Sequence, residues 1–233
     1  MTLAGPKPTW LTFDCYGTLI QWDEGLLAAM GQILSAKGGD IDQRSFIAVY
    51  DRHEHALEEV RPHRTFAQVS ALALERAMVD FGLPFDPADA EILTSSIGNM
   101  PPFPEVVATL EALKVAGFRL AIISNTDDAI IAGNVAQLGG YVDRVITAEQ
   151  AGAYKPSSQI FHHAWKSLGI GINDLVHICA SPHLDLAAAR ELRFRTIWVD
   201  RGTGRQPLPD YRPNEIVAAL DKVPAVLAAT EWK

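Results

Sequence analysis

Four positions along the sequence carry polar side chains at the ends of short apolar runs or at the starts of helical patterns. Asp14 follows the run Trp10–Phe13, Ser124-Asn125 closes a second run, Lys155-Pro156 opens a helical pattern, and Asp185 starts another. A carboxylate at such a position can act as a nucleophile or a metal ligand, assisted by hydroxyl, amide and ammonium groups. A single Asp after a strand is more commonly a turn former, so the ordered set of four is what indicates an active site.

The segments that must position these residues alternate between strand and helix patterns. Five short runs are typical of buried strands: Trp10–Phe13, Phe118–Ser124, Val142–Thr147, Leu175–Ala180 and Arg195–Asp200. Helical patterns lie between or after them, at Glu105–Ala116, Asp127–Leu138, Ser157–Leu168 and Asp185–Leu192. This alternation predicts an α/β fold in which helices cover both faces of a Rossmann-like parallel sheet. The carboxyl ends of parallel strands share one edge, where the four positions can meet.

One interval interrupts the alternation. Between Trp22 and Pro102 the sequence predicts three or four helices, at Glu24–Ala36, Gln43–Val60, Phe66–Phe81 and Pro87–Gly98, with a break at Gly38-Gly39. We therefore expect residues 1–21 and 103–233 to form the α/β core and residues 22–102 to form an inserted helical cap over the ligand-binding edge of the sheet.

Composition and charge limit the functional classes. Of 233 residues, 48% are hydrophobic and 21% are charged, with a formal net charge of −8. The sequence contains no basic stripe, so nucleic acid is not expected as a partner. It has no apolar run near the ~20 residues of a membrane span, and residues 1–8 lack a signal-peptide core, so we expect a cytoplasmic protein without a membrane partner. Cys15 and Cys179 have no C-x-x-C spacing and are predicted to be buried thiols.

The four ordered motifs resemble those of the haloacid dehalogenase superfamily. The matching residues are Asp14-x-Tyr16-Gly17-Thr18, the strand end Ser124-Asn125, Lys155-Pro156 and Asp185, and the resemblance covers nearly the whole chain. It implies a haloacid dehalogenase-like core with an inserted helical cap.

Two positions favour one branch of that superfamily. The phosphatase branch has an Asp two residues after its nucleophile, where this sequence has Tyr16, and an acidic residue where it has Ala180. A magnesium ion, which prefers oxygen ligands, would find few carboxylates there. Asp-x-Tyr-Gly-Thr-Leu is similar to the type II, L-2-haloacid dehalogenase branch, which implies a reaction with no metal and no cofactor. A magnesium-dependent phosphatase is the alternative.

The resemblance also implies roles for the motif residues. Asp14 would attack the halogen-bearing carbon of a short 2-haloalkanoic acid, expel halide and form an ester that water then hydrolyses. Lys155 would favour the ionised form of Asp14, and Asp185 completes the predicted catalytic set. The remaining matched side chains would bind the substrate carboxylate or the halide: Tyr16, Thr18, Ser124, Asn125 and Ser181.

An Arg beyond the first strand is expected to contact the halide in this branch. Arg52 is our choice from its distance beyond Asp14, with Arg61 in reserve. Either could instead pair with Glu54, Glu58 or Glu59 on a solvated helix face.

The sequence departs from the branch pattern at two places. Phe161 stands where a Tyr is usual, and Ala180-Ser181-Pro182-His183-Leu184-Asp185 replaces Ser-Ser-Asn-x-x-Asp, whose polar groups orient the hydrolytic water. His183 offers a substitute base, or it packs locally. A catalytically weakened haloacid-binding relative therefore stays an alternative. The resemblance further implies a homodimer, and the sequence leaves halogen, chain length and enantiomer open.

Overall fold

A parallel sheet of six strands forms the centre of the protein, whose computed structural model describes residue 3, residues 5–38 and residues 41–233. In chain order the strands are β1 (Trp10–Phe13), β2 (Arg119–Ser124), β3 (Arg144–Thr147), β4 (Leu175–Cys179), β5 (Thr196–Val199) and β6 (Glu215–Val217). Their spatial order is β3-β2-β1-β4-β5-β6. The order reverses at β1, and open α/β sheets bind ligands beyond the carboxyl ends of the strands at such a switch point.

The register brings the ends of the three central strands together. Phe13 of β1 pairs with Ile122 of β2 and with Ile178 of β4. The backbone N–H of Asp14 continues the ladder by donating to the carbonyl of Ile178 at 3.0 Å. The predicted α/β class and all five predicted strands are confirmed. The sequence analysis missed β6, which has three residues, two of them exposed, and so lacks an apolar run.

Ten α-helices accompany the sheet in the described part of the chain. Four lie between β1 and residue 102 and are called the cap helices below: α1 (Trp22–Ser35), α2 (Gln43–Glu58), α3 (Phe66–Asp80) and α4 (Pro87–Asn99). The others are α5 (Val106–Val115), α6 (Asp128–Ala136), α7 (Ala148–Ala151), α8 (Ser158–Leu168), α9 (Ala187–Leu192) and α10 (Val223–Ala229). Of the predicted break at Gly38-Gly39, Gly39 lies outside the described residues.

One predicted helix begins differently from the expectation. The segment Pro182–Leu186 forms a π-helical turn that leads into α9, so Asp185 lies inside this turn and does not open an α-helix. Wider turns of this kind frequently occur at functional sites.

The cap helices pack directly on the core. Gly98 of α4 faces Gly133 of α6 so closely that a Cβ atom on Gly133 would lie 2.4 Å from the Gly98 carbonyl oxygen. Nearby, Asn134 donates to the carbonyls of Ile97 and Met100. Main-chain groups of the two parts therefore touch, and the absence of side chains at both glycines permits the contact.

Two further expectations concern cysteines and membranes. Cys15 and Cys179 are free and fully buried, as predicted. Within the described ranges, no helix has both the length and the apolar character needed to cross a bilayer.

Candidate active site

A cavity of about 220 Å³ lies at the carboxyl edge of the sheet, between the core and the cap helices. From the core it is lined by Asp14, Tyr16, Ser124, Asn125, Lys155, Ser181, Pro182, His183, Leu184 and Arg205, and from the cap side by Trp22, Asp23, Asp51, Glu54, His55, Glu58 and Phe66. Taking ~30 Å³ per water molecule, it holds about seven water volumes. Its size therefore suits a short organic molecule.

Asp14 is held by donors on both carboxylate oxygens. Its side chain lies at the end of β1 and is 5% exposed. The hydroxyl of Thr18 donates to Oδ2 at 2.7 Å, and the ammonium of Lys155 donates to Oδ1 at 2.8 Å. Two fixed donors define the orientation of the carboxylate toward the cavity, which is what a nucleophile at this position requires.

Thr18 acts on Asp14, contrary to our expectation that it would contact the substrate. Its side chain is fully buried, and its hydroxyl accepts a hydrogen bond from the backbone N–H of Ala180 at 2.8 Å. Because a hydroxyl has one proton and that proton goes to Asp14, Thr18 has no donor left for a substrate. Its effect is to lock the Asp14 loop onto the loop that follows β4.

Lys155 joins Asp14 to Asp185 through a buried hydrogen-bonded chain. The Nζ atom of Lys155 lies 2.9 Å from Oδ1 of Asp185, which also receives Nε2 of His177 at 3.0 Å. Nδ1 of His177 lies 2.8 Å from the hydroxyl of Thr12. Because an ionised carboxylate can only accept hydrogen bonds, Nε2 of His177 carries the proton that points at Asp185. Each of these side chains is at most 1% exposed, whereas Asp14 is 5% exposed: Thr12, Lys155, His177 and Asp185.

This series of hydrogen bonds sets the protonation states of Lys155 and Asp185. Burial alone would lower the pKa of Lys155, but the carboxylates of Asp14 and Asp185 outweigh it and raise that pKa. Burial would raise the pKa of Asp185, yet the Lys155 ammonium and the hydrogen bond from His177 leave it below its ordinary value. Lys155 is therefore a permanent cation and Asp185 a permanent anion at neutral pH.

Asn125 positions Lys155, and Ser124 stays free. The amide of Asn125 accepts from the backbone N–H of Lys155 at 2.6 Å and donates to its carbonyl at 3.1 Å. The hydroxyl of Ser124 is buried at the cavity and has no hydrogen-bond partner among the described residues. A buried hydroxyl without a partner is costly, so a ligand that accepts its proton would be stabilised.

Three further residues of the predicted site also line the cavity, namely Tyr16, Ser181 and His183. Tyr16 lines it with its ring, because its hydroxyl donates to Asn134 at 3.0 Å. Ser181 and His183 both line it from the loop after β4, and His183 is exposed. The structure thus brings nearly all predicted core residues together around Asp14.

Neither predicted Arg lines the cavity. The side chain of Arg52 is 66% exposed and lies 3.4 Å from Asp80, within the cap. Arg61 donates to the carbonyl of Glu58 at 3.3 Å and lines a neighbouring surface cleft. Residues 51, 54, 55 and 58 occupy one face of α2, so position 52, about 100° further round the helix, points elsewhere.

Two of the carboxylates considered as partners of those arginines line the cavity. The alternative for either Arg placed Glu54 and Glu58 on a solvated helix face, but each is only 7% exposed and both line the cavity. Glu54 accepts from the hydroxyl of Tyr50 at 2.7 Å. The correction follows from the cap packing against the core, which the pattern of α2 alone does not reveal.

Two residues near the site escaped the sequence analysis. His177 is a polar residue inside the apolar run of β4, a signal that could have identified it. Arg205 lines the cavity and pairs with Asp23 at 2.8 Å. No local pattern marks Arg205, because its loop approaches Asp23 over a separation of 182 residues.

One group of three side chains in the described ranges has atoms close enough to hold a metal ion: His177, Cys179 and Asp185. The group fits a cation poorly. The Lys155 ammonium, 2.9 Å from Oδ1 of Asp185, repels a second cation, and burial, followed by the charge of Asp185, raises the pKa of Cys179, which keeps the thiol protonated.

Comparison with known proteins places the chain in a family. The model of the haloacid dehalogenase-like hydrolases matches residues 9–192. (S)-2-haloacid dehalogenase 4A of Burkholderia cepacia is 26% identical over 205 residues, covering 86% of each chain. Haloacetate dehalogenase H-2 of Moraxella sp. (strain B) is 28% identical over 195 residues, covering 82% of this chain and 85% of its own.

A solved structure shares the fold of this chain. The L-2-haloacid dehalogenase of Xanthobacter autotrophicus with chloropropionic acid covalently bound is 18% identical, with a TM-score of 0.81, covering 96% of this chain and all of its own. With a family model that spans most of the sequence and a shared core topology, the chain belongs to the haloacid dehalogenase-like hydrolases.

Proposed function

We propose that the protein is a hydrolytic dehalogenase of short 2-haloalkanoic acids that works through an ester on Asp14. The observation that carries this proposal is the Asp14 carboxylate itself, fixed by Thr18 at 2.7 Å and Lys155 at 2.8 Å at the wall of a small cavity. The curated relatives are named as dehalogenases of haloacids, and this supports the same substrate class here. In this proposal residues 22–102 act as a cap over a core of residues 1–21 and 103–233.

The first step is a displacement at carbon. A carboxylate oxygen of Asp14 bonds to C2 of the haloacid while the carbon–halogen bond breaks, and the halide leaves with the bonding electrons. The free hydroxyl of Ser124 lies at the cavity and can donate to the substrate carboxylate. Lys155, Asn125 and the Ser181 loop hold the surrounding donors in place, since preorganised donors stabilise charge without reorganisation.

The second step is hydrolysis of the ester. Water attacks Cγ of Asp14, the 2-hydroxy acid leaves, and one water oxygen stays on the carboxylate. His183, at the cavity wall, is the residue we propose to take the proton from that water, in place of the polar groups that Ala180 and Pro182 do not supply. The overall products are hydroxy acid, halide and one proton.

A single turnover in heavy-oxygen water tests the route. With enzyme in excess over 2-chloropropionate, we expect halide release and one heavy oxygen on the peptide that contains Asp14. Asp14→Asn should release no halide, whereas Asp221→Asn, an exposed carboxylate beside Lys222, should behave as wild type. Label found only in the hydroxy acid would contradict the ester route.

Two further measurements distinguish the proposed dehalogenase from a phosphatase and from a relative that cannot hydrolyse the ester. Hydrolysis of an aryl phosphate that is abolished by chelator, without halide release, would indicate a magnesium-dependent phosphatase. An intact-mass increase that persists after incubation with haloacid would indicate a relative that forms the ester and cannot hydrolyse it. We also propose a cytoplasmic homodimer, which cell fractionation and light scattering test directly.

A further inference from the structure

The cap side of the cavity presents three carboxyl groups opposite the core. Asp51, Glu54 and Glu58 lie three and four residues apart on α2, so their side chains share one helix face. All three line the cavity that contains Asp14. A monocarboxylate substrate alone would therefore leave these three acidic groups on the cap wall without a cationic partner.

The two buried carboxyl groups, those of Glu54 and Glu58, lack the cationic partners that buried charges require, and Asp51 is half-buried. None of them forms an ion pair with Lys or Arg within the described ranges, whereas Asp23 on the same wall is paired with Arg205 at 2.8 Å. The side chain of Glu58 has one hydrogen-bond partner in the described part of the chain, the amide of Asn125, whose nitrogen lies 3.4 Å from each carboxylate oxygen. Buried carboxylates without a cation are costly, and this cost is recovered when a cationic ligand binds.

The protonation behaviour of the three groups agrees with that geometry. Burial raises the pKa of Asp51 to about 6, with Asp23 also raising it and His55 and Arg205 lowering it. Burial and the charge of Asp51 raise the pKa of Glu54 to about 8, against the hydrogen bond from Tyr50.

Glu58 behaves in the same way. Burial, followed by the charge of Glu54, raises its pKa well above the ordinary value, with a smaller contribution from Glu59, while Lys155 and Asn125 oppose the shift. An ammonium group between Glu54 and Glu58 would reverse both shifts.

The core side of the same cavity offers the opposite chemistry. The buried hydroxyl of Ser124 has no partner in the described part of the chain, and the guanidinium of Arg205 lies at the cavity beside Gly17. A ligand that satisfies both walls carries an anionic group toward Ser124 and Arg205 and a cationic group toward α2. The volume of about 220 Å³ restricts both groups to one short molecule.

We propose that the substrate is a short 2-haloalkanoic acid that also bears an ammonium group, with its carboxylate toward Ser124 and Arg205 and its ammonium toward Glu54 and Glu58. This inference rests on the proposed dehalogenase function and specifies its substrate class. The displacement at C2 is unchanged, because the ammonium group takes no part in bond making or breaking.

A matched pair of substrates tests the inference. In 3-amino-2-chloropropionate an ammonium replaces the terminal methyl of 2-chlorobutanoate, so charge changes while size hardly does. After subtraction of enzyme-free halide release, we expect wild type to favour the amino compound in kcat/KM by roughly tenfold to a hundredfold, the range for hydrogen bonds to charged groups. Glu58→Gln should lower this ratio by a similar factor.

The control variant is Glu59→Gln, which removes an adjacent, exposed charge at the C-cap of α2 that does not line the cavity. Its substrate ratio should equal that of wild type. A wild-type preference for 2-chlorobutanoate, or a ratio that Glu54→Gln and Glu58→Gln both leave unchanged, would overturn the inference while leaving the dehalogenase function intact.

A binding measurement separates failure of the inference from failure of the function. The non-reactive pair 3-aminopropionate and butanoate differs in the same way, and calorimetry in two buffers reports both affinity and proton exchange. We expect tighter binding of 3-aminopropionate with release of protons at neutral pH, even if no halide is released from any chloroacid. In that case only the dehalogenase proposal fails, and tighter binding of butanoate would refute the charge selection.

Discussion

The ammonium of Lys155 lies 2.8 Å from Oδ1 of Asp14 and 2.9 Å from Oδ1 of Asp185, with all three side chains almost completely buried. One cation therefore balances two carboxylates that the sequence separates by 171 positions, and it fixes their relative orientation. Breaking a buried pair leaves an uncompensated charge, so we expect stability and, under the proposed mechanism, activity to depend on this contact.

Lys155→Met should destabilise the protein by about 3–5 kcal/mol, the usual cost of removing one partner of a buried ion pair. Halide release should fall below detection because Asp14 loses its only charged donor among the described contacts. Urea unfolding and an ion-selective electrode measure the two effects. Lys166→Met, on an exposed position of α8, should change stability by no more than about 0.5 kcal/mol.

His177 is a positioning residue for Asp185. His177→Leu removes the 3.0 Å contact to Oδ1 of Asp185 and should lower kcat by up to about a hundredfold, with a smaller effect on KM. His177→Gln should recover much of kcat, since its amide nitrogen can donate from nearly the same place. Equal losses in both variants would show that the imidazole matters only for packing.

The buried carboxyl of Glu54 should make stability pH-dependent. Its pKa rises from 4.5 to about 8 on folding, so the folded state binds more protons between those values and stability falls as pH rises through them. Glu54→Gln keeps the acceptor for Tyr50 and cannot ionise. We expect the melting temperature of this variant to depend less on pH than that of wild type. Near pH 8 the variant should have the higher melting temperature. Glu91→Gln, at an exposed position, should follow the wild-type profile.

Substitution of Arg205 and of Arg52 tests which arginine contacts the substrate. The structure places Arg205 at the cavity, whereas the sequence pointed to Arg52. Arg205→Gln removes a guanidinium from the cavity wall and should raise KM for 2-haloacids by roughly tenfold, as for loss of one charged hydrogen bond. Arg52→Gln, on the outer face of α2, should leave kcat/KM within about twofold because surface pairs contribute little. The reverse pattern would restore Arg52 as the halide contact.

Contact between the cap and the core depends on Gly133. Alanine normally stabilises a helix interior by up to about 1 kcal/mol over glycine, but here its Cβ would lie 2.4 Å from the Gly98 carbonyl oxygen. Gly133→Ala should therefore destabilise the protein by about 1–3 kcal/mol in thermal unfolding. Gly31→Ala in α1 is the matched control, since its Cβ meets only the flexible side chain of Gln43 and should be neutral or stabilising.

The sequence by itself determined the core elements and the polar residues that meet around Asp14. Apolar runs that end in polar residues identified β1 and β2, and parallel strands then require Asp14 and Ser124 to share an edge. The same reasoning placed Lys155 and Asp185 near them. These predictions succeeded because strand periodicity and strand ends are local properties of the chain.

Only the tertiary structure decided what faces those residues. Arg52 and Glu58 lie on one helix, and the sequence gives no reason to send one to solvent and the other to the cavity, because that depends on how α2 packs on the core. Arg205 reaches Asp23 across nearly the whole chain, and His177 contacts Asp185 only through the π-helical turn. Such contacts between distant segments arise from packing, and no local pattern of residue types encodes them.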